Sequence, residues 1–137
     1  MRFPSYGQYS LDKSGNMLEV YATGAWTMPT TRAFVEELKI LATSFDDQPW
    51  AALLDGRRWV LTTPECQKVL ADAIVMCIEN GLQRSGYVLD TGMVKRAQIE
   101  RTHPNLQDYN QYPNYTRHYF EGYFAALKWL KSEGYTP

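Results

Sequence analysis

Two aspartates, a pair of arginines and a crowd of tyrosines are the side chains of this 137-residue sequence with chemistry to offer. Asp55 and Asp90 each close a short apolar run, Trp50–Leu54 and Gly86–Leu89. Carboxylates at neighbouring strand ends can share acid–base work when their surroundings separate their pKa values. Strand ends and turns also use Asp simply to accept from nearby backbone N–H groups. Behind Asp55 come Gly56, Arg57, Arg58 and Trp59. A guanidinium fork suits a carboxylate or phosphate, so Arg57 and Arg58 could clamp an anion. The alternative is that one of them pairs with Asp55 or with a glutamate of the first helix. Nucleophilic catalysis lacks a set of partners: Ser85 has no positioned base in the pattern, and His103 and His118 stand alone. No His-x-x-x-His, Gly-x-Ser-x-Gly or phosphate-cradling glycine pattern is present.

Tyr109, Tyr112, Tyr115, Tyr119 and Tyr123 place five of the ten tyrosines within fifteen residues, interleaved with Asn, Gln and Pro. Tyrosine couples a large apolar ring to a polar tip, which favours interfaces. The competing expectation is that the rings wedge a long loop against the sheet. Fourteen basic and fifteen acidic residues leave a net charge of −1, without the basic surplus that nucleic acid or an anionic membrane would demand. The N-terminal Met-Arg-Phe-Pro-Ser-Tyr has no apolar signal region, and no apolar run reaches membrane-spanning length. A cytoplasmic location is the expectation. Cys66 and Cys77 fall on one expected helix, about 16 Å apart along its axis, too far to form a disulfide. They read as small core residues in a reducing compartment, with neither a metal site nor a cofactor implied.

The elements that must position these groups follow from periodicity. Residues 6–12 and 17–23 read as a hairpin turning through Lys13-Ser14-Gly15-Asn16, with Leu18, Val20 and Ala22 on one face and Met17, Glu19, Tyr21 and Thr23 on the other. A helix starts near Thr27 or Thr30, with Pro29 in its first turn and Phe34, Leu38, Leu41 and Ala42 inward. Trp50–Asp55 is an unbroken apolar strand, the pattern of a strand buried on both faces, ending in an Asp-Gly turn. Thr62-Thr63-Pro64-Glu65 starts the second helix, through either a Thr62–Glu65 capping box or Thr63 as cap. Its stripe is Cys66, Val69, Leu70, Ala73 and Cys77, and Gly81 is its left-handed stop. Gly86–Asp90 reads as a further strand, residues 93–102 as a third helix, and residues 116–132 as a last helix burying Phe120, Tyr123, Phe124, Leu127 and Leu130. The expected order is ββαβαβαα, one domain over residues 1–137. Helical crossovers imply parallel pairing.

The Trp50–Asp55 strand with its Thr-Pro-Glu helix start, together with Ala126-Leu127-Lys128-Trp129-Leu130 near the end, resembles the SpoIIAA-like branch of the STAS superfamily. The resemblance implies a small mixed α/β sheet with helices packed mainly on one face. In the anti-anti-sigma members a serine at the start of the helix after the third strand accepts phosphate. Here the expected Asp-Ser pair is replaced by Thr63-Pro64, and proline accepts no phosphate. That leaves Thr62 and Thr63 as candidate phospho-acceptors. Other SpoIIAA-like domains resemble a lipid-carrying fold, with no ligand motif to carry over to this chain. The leading expectation is a non-catalytic regulatory module that binds a protein partner or itself. Asp55, Arg57, Arg58, Trp59, Asp90, Tyr112, Tyr115 and Tyr119 are the candidate contacts. A carrier of a small apolar, lipid-like ligand comes second, and an enzyme using Asp55 and Asp90 comes last. A hollow core lined by Trp26, Phe34, Leu70 and Phe124 would favour the carrier, and an exposed aromatic patch the binder.

Overall fold

The structure, a computed structural model, describes residues 8–60, 63–90 and 112–137. Five strands form one sheet in the order of the chain: β1 (Gln8–Ser14), β2 (Met17–Ala25), β3 (Trp50–Val60), β4 (Leu82–Val88) and β5 (Thr116–Phe120). The β1–β2 pair is an antiparallel hairpin, and every later pairing is parallel. Gly15 makes its turn with φ +59°, a conformation that costs glycine nothing. Helix α1 (Met28–Thr43) carries the chain from β2 to β3, and α2 (Pro64–Glu79) from β3 to β4. Helix α3 (Tyr123–Ser132) follows β5.

The alternation of β3 decides the layering. Trp50 belongs to an apolar cluster with Leu18, Val20, Phe34, Leu38, Leu70 and Cys77, and Ala52 and Leu54 pack on it; this is the α1–α2 side. Ala51 and Leu53 join Met17, Val88, Ala126 and Leu130 on the opposite side, under α3. A central strand covered on both faces has no need of polar alternation, which is why Trp50–Leu54 is unbroken. Two of the three described helices therefore share one face and α3 covers part of the other. Helix α2 begins as its residues dictate: the Thr63 hydroxyl accepts from the Cys66 N–H at 3.2 Å, and Pro64 follows in the first turn. Such a cap is worth about 1 kcal/mol. The helix ends before Gly81, which is left-handed at φ +105°.

Strand β3 runs to Val60, five residues past its expected end at Asp55, and two other elements and one side chain also depart from the sequence expectation. The fourth strand is Leu82–Val88, four residues earlier at its start than Gly86. The expected helix over 116–132 is divided: Thr116–Phe120 is the fifth strand, and the helix starts only after Gly122. Phe124, expected to be buried, is 80% exposed. Since α3 is anchored by Ala126 and Leu130, Phe124 lies about 160° around the helix from Ala126. The expected helix at 93–102, Thr62, His103 and Tyr109 lie outside the described residues.

Candidate functional site

Strand β3 does not turn at Asp55-Gly56. It continues to Val60 through a bulge. Tyr21 of β2 pairs with Asp55 and Thr23 pairs with Arg58, so two β3 residues, Gly56 and Arg57, stand opposite the single Ala22. An extra residue reverses the parity of everything beyond it. Trp59 thereby falls on the α1–α2 side, buried, its ring centroid 5.0 Å from that of Trp26. Arg58 faces the other side with Asp55. Gly56 sits in a crowded place: a Cβ there would lie 2.9 Å from Leu54 Cδ2, 3.2 Å from Trp59 Cε3 and 3.3 Å from Leu89 Cδ2, so these side chains would have to shift to admit it.

Among the described residues the result is an open recess of about 360 Å³ on the sheet face beside α3, lined by Tyr21, Asp55, Arg57 and Arg58. Arg57 grips Asp55 with two bonds, Nε to Oδ1 at 3.0 Å and Nη2 to Oδ2 at 2.7 Å, and its backbone N–H donates to Oδ1 at 3.3 Å. Burial by itself would raise the Asp55 pKa. The Arg57 side-chain and backbone hydrogen bonds, with the charges of Arg57 and Arg58, outweigh it and hold the carboxyl below its ordinary value. Asp55 is thus a committed anion. Arg58 is exposed and makes no hydrogen bond or ion pair among the described residues. Asp90 is exposed two residues beyond Val88, the residue that pairs with Asp55, and does not line the recess.

The tyrosines take a different place. Tyr115 is buried and its hydroxyl donates to Ser85 Oγ at 3.0 Å. Tyr87 is buried beside it and stacks on half-buried Tyr119 at 5.5 Å. Burial raises the Tyr115 pKa to about 12, and burial with the neighbouring Tyr115 and Tyr119 raises that of Tyr87 well above its ordinary value. Tyr112 is half-buried and packs on the same cluster. Of the contacts expected from sequence, Trp59 and Tyr115 are core residues. Asp55, Arg57 and Arg58 share one recess. Tyr112 and Tyr119 are elsewhere, at the β4–β5 end of the α1–α2 side. Thr63 is exposed and serves as the α2 cap.

Sequence reasoning missed Tyr21, Val60 and Phe124 as exposed apolar groups. The signal for Tyr21 was its place among Glu19 and Thr23 on the polar face of β2. The Tyr123 hydroxyl donates to Glu19 on that same face, which brings the start of α3, and Phe124 with it, beside β2. An apolar cavity of about 70 Å³ lies between the sheet and α1–α2, lined in part by Phe34, Leu70 and Trp59. It is about half the ~150 Å³ that accommodates benzene, so a lipid-like guest does not fit it as it stands. Both cysteines are free and buried in α2, and burial pushes the Cys77 thiol up to about 12. Among the described residues, no group of three or more His, Cys, Asp or Glu side chains is placed to hold a metal ion, and no helix is long and apolar enough to cross a membrane.

This arrangement, a mixed five-stranded sheet with three described helices, is a SpoIIAA-like fold. The chain is similar to an uncharacterised DUF3478-family protein with a SpoIIAA-like fold from Shewanella loihica PV-4, with a TM-score of 0.65 and 14% identity over 91% of this chain and 94% of that one. It is likewise similar to an anti-sigma factor antagonist from Mycobacterium paratuberculosis, with a TM-score of 0.59 and 17% identity over 96% and 99% of the two chains. No family model matches the sequence, and no curated protein matches it.

Proposed function

We propose that this domain is a non-catalytic regulatory module that works by binding a protein partner, a second copy of itself included. The contact surface in this reading is the half of the sheet face beside α3. One observation carries it: Phe124 at 80% exposure, Val60 at 54% and Tyr21 at 37% accompany Arg57 and Arg58 on that side. Single exposed apolar residues are ordinary on any surface. Aromatic side chains grouped with arginine have the composition of interface centres. The anti-sigma factor antagonist of like fold lends the reading further support.

The test is a photo-crosslinking amino acid placed at Arg58, at Phe124 and, as a control, at exposed Lys68 of α2, in cells of the source organism. Adducts to a protein from the first two positions and not from Lys68 are expected. No adduct, or equal adducts from all three positions, refutes the reading.

A further inference from the structure

We infer that the recess of Tyr21, Asp55, Arg57 and Arg58 receives an acidic side chain, Asp or Glu, from an extended segment of the partner protein, with Arg58 as its anchor. The inference rests on the proposed binding face and specifies what that face recognises. The bulge at Gly56-Arg57 places two consecutive arginines where both line one recess, which a regular strand cannot do because neighbours alternate faces. Their duties then divide. Arg57 is occupied by three hydrogen bonds to Asp55 and forms a fixed wall. Arg58 presents a guanidinium with no hydrogen bond or ion pair among the described residues.

The charge of the recess selects the guest. Two guanidiniums and one ionised Asp55 leave a single positive charge among the four lining residues. One carboxylate balances it. A phosphate group, carrying about −1.5 to −2 at neutral pH, would leave the recess negative and would repel Asp55 more strongly than a single carboxylate does. The flanks favour a residue carried by a protein chain over a free carboxylate. Val60 lies two residues beyond Arg58 on the same face, and Tyr21 opposite Asp55 offers its ring. An acidic residue adjoining an aliphatic or aromatic one would satisfy both the charge and the apolar rim.

The test is selection of random twelve-residue peptides displayed on phage against the immobilised full chain. Synthetic peptides of the selected sequences are then titrated against the parent, Arg58→Glu, Phe124→Ala and Lys68→Glu proteins. The expected result is enrichment of Asp or Glu beside an apolar residue, with affinity at least tenfold weaker for Arg58→Glu and unchanged for Lys68→Glu. Acetate should displace the peptide at a lower concentration than inorganic phosphate does, and the reverse order overturns the single-carboxylate assignment. Peptides without an acidic residue, or acidic peptides indifferent to Arg58→Glu, that nonetheless lose affinity on Phe124→Ala overturn this inference and leave the binding face standing. Peptides indifferent to both substitutions count against the inference and the face together. Failure to select any peptide overturns the inference, and the crosslinking result still judges the face.

Discussion

Replacing Tyr115 by phenylalanine separates a structural tyrosine from an interfacial one. The substitution keeps the ring and removes only the hydroxyl, which donates to Ser85 Oγ at 3.0 Å. Ser85 is 3% exposed, so water cannot readily take the hydroxyl's place. A buried polar group left without its partner costs about 1–3 kcal/mol. At about 2.1 cal/mol/K per residue, a chain of 137 residues has an unfolding entropy near 0.29 kcal/mol/K, so a loss of about 2 kcal/mol lowers Tm by about 7 °C. Tyr87 also bonds the Tyr115 hydroxyl and loses that bond in either background, but the Tyr115–Ser85 bond can be lost only once, so Ser85→Ala in the Tyr115→Phe background should cost less than the sum of the single changes. The coupling should be about 1 kcal/mol. Denaturant unfolding of the four proteins, followed by circular dichroism, measures it directly. A Tyr115→Phe protein within about 0.5 kcal/mol of the parent, with no coupling to Ser85, would refute the assignment of this hydroxyl to the core. Half-buried Tyr112 provides the contrast, since Tyr112→Phe should leave Tm nearly unchanged.

Arg57→Ala removes the partner that holds the Asp55 carboxyl down, so burial should carry its pKa upward; side-chain NMR titration reads the shift, and an unmoved Asp55 would contradict the ion-pair account. Tyr87 and Tyr115 have folded-state pKa values above the unfolded value of about 10. The folded state keeps protons that the unfolded state releases, so stability is intact below pH 10 and falls as pH rises toward about 12. Tyr115→Phe should flatten that alkaline decline, measured by unfolding at stepped pH. Gly56→Ala forces a Cβ to within 2.9 Å of Leu54 Cδ2 and should cost about 1–3 kcal/mol, with altered tryptophan emission as Trp59 is displaced. An unchanged Tm and spectrum would mean that the bulge tolerates a side chain.

Most of the scaffold was legible because its signals are local. Leu18, Val20 and Ala22 alternate against Glu19 and Tyr21 as a half-buried strand must, and Thr63-Pro64-Glu65 states a helix start within three residues. What escaped was set by distant partners. Thr116–Phe120 is an edge strand of five residues, too short to show its own period. Phe120, Tyr123, Phe124, Leu127 and Leu130 happen to fit a helical spacing, and it overrode Gly122, which marks the true break. The exposed position of Phe124 depends on Ala126 and Leu130 fitting over Gly86, a contact between residues 40 and more apart in the chain. Asp55-Gly56 reads locally as a turn. It is a bulge because β2 continues alongside, and that pairing appears nowhere in the local pattern.

The recess and the core are consequences of one residue. If β3 ran on without its extra residue, Arg58 would point toward the α1–α2 core and Trp59 toward the open face. The fold would then bury an unpaired guanidinium, at a cost of several kcal/mol, and lose the Trp26–Trp59 contact. The sequence Gly56-Arg57-Arg58-Trp59 is thus compatible with this sheet only through the bulge. The same bulge that seats Trp59 inside must bring Arg58 beside Asp55 outside. Stability and recognition are therefore coupled at this point, and deleting or inserting a single residue between Asp55 and Trp59 should exchange the two faces together. Substituting Arg58 leaves the parity untouched, which is why it can report on recognition alone.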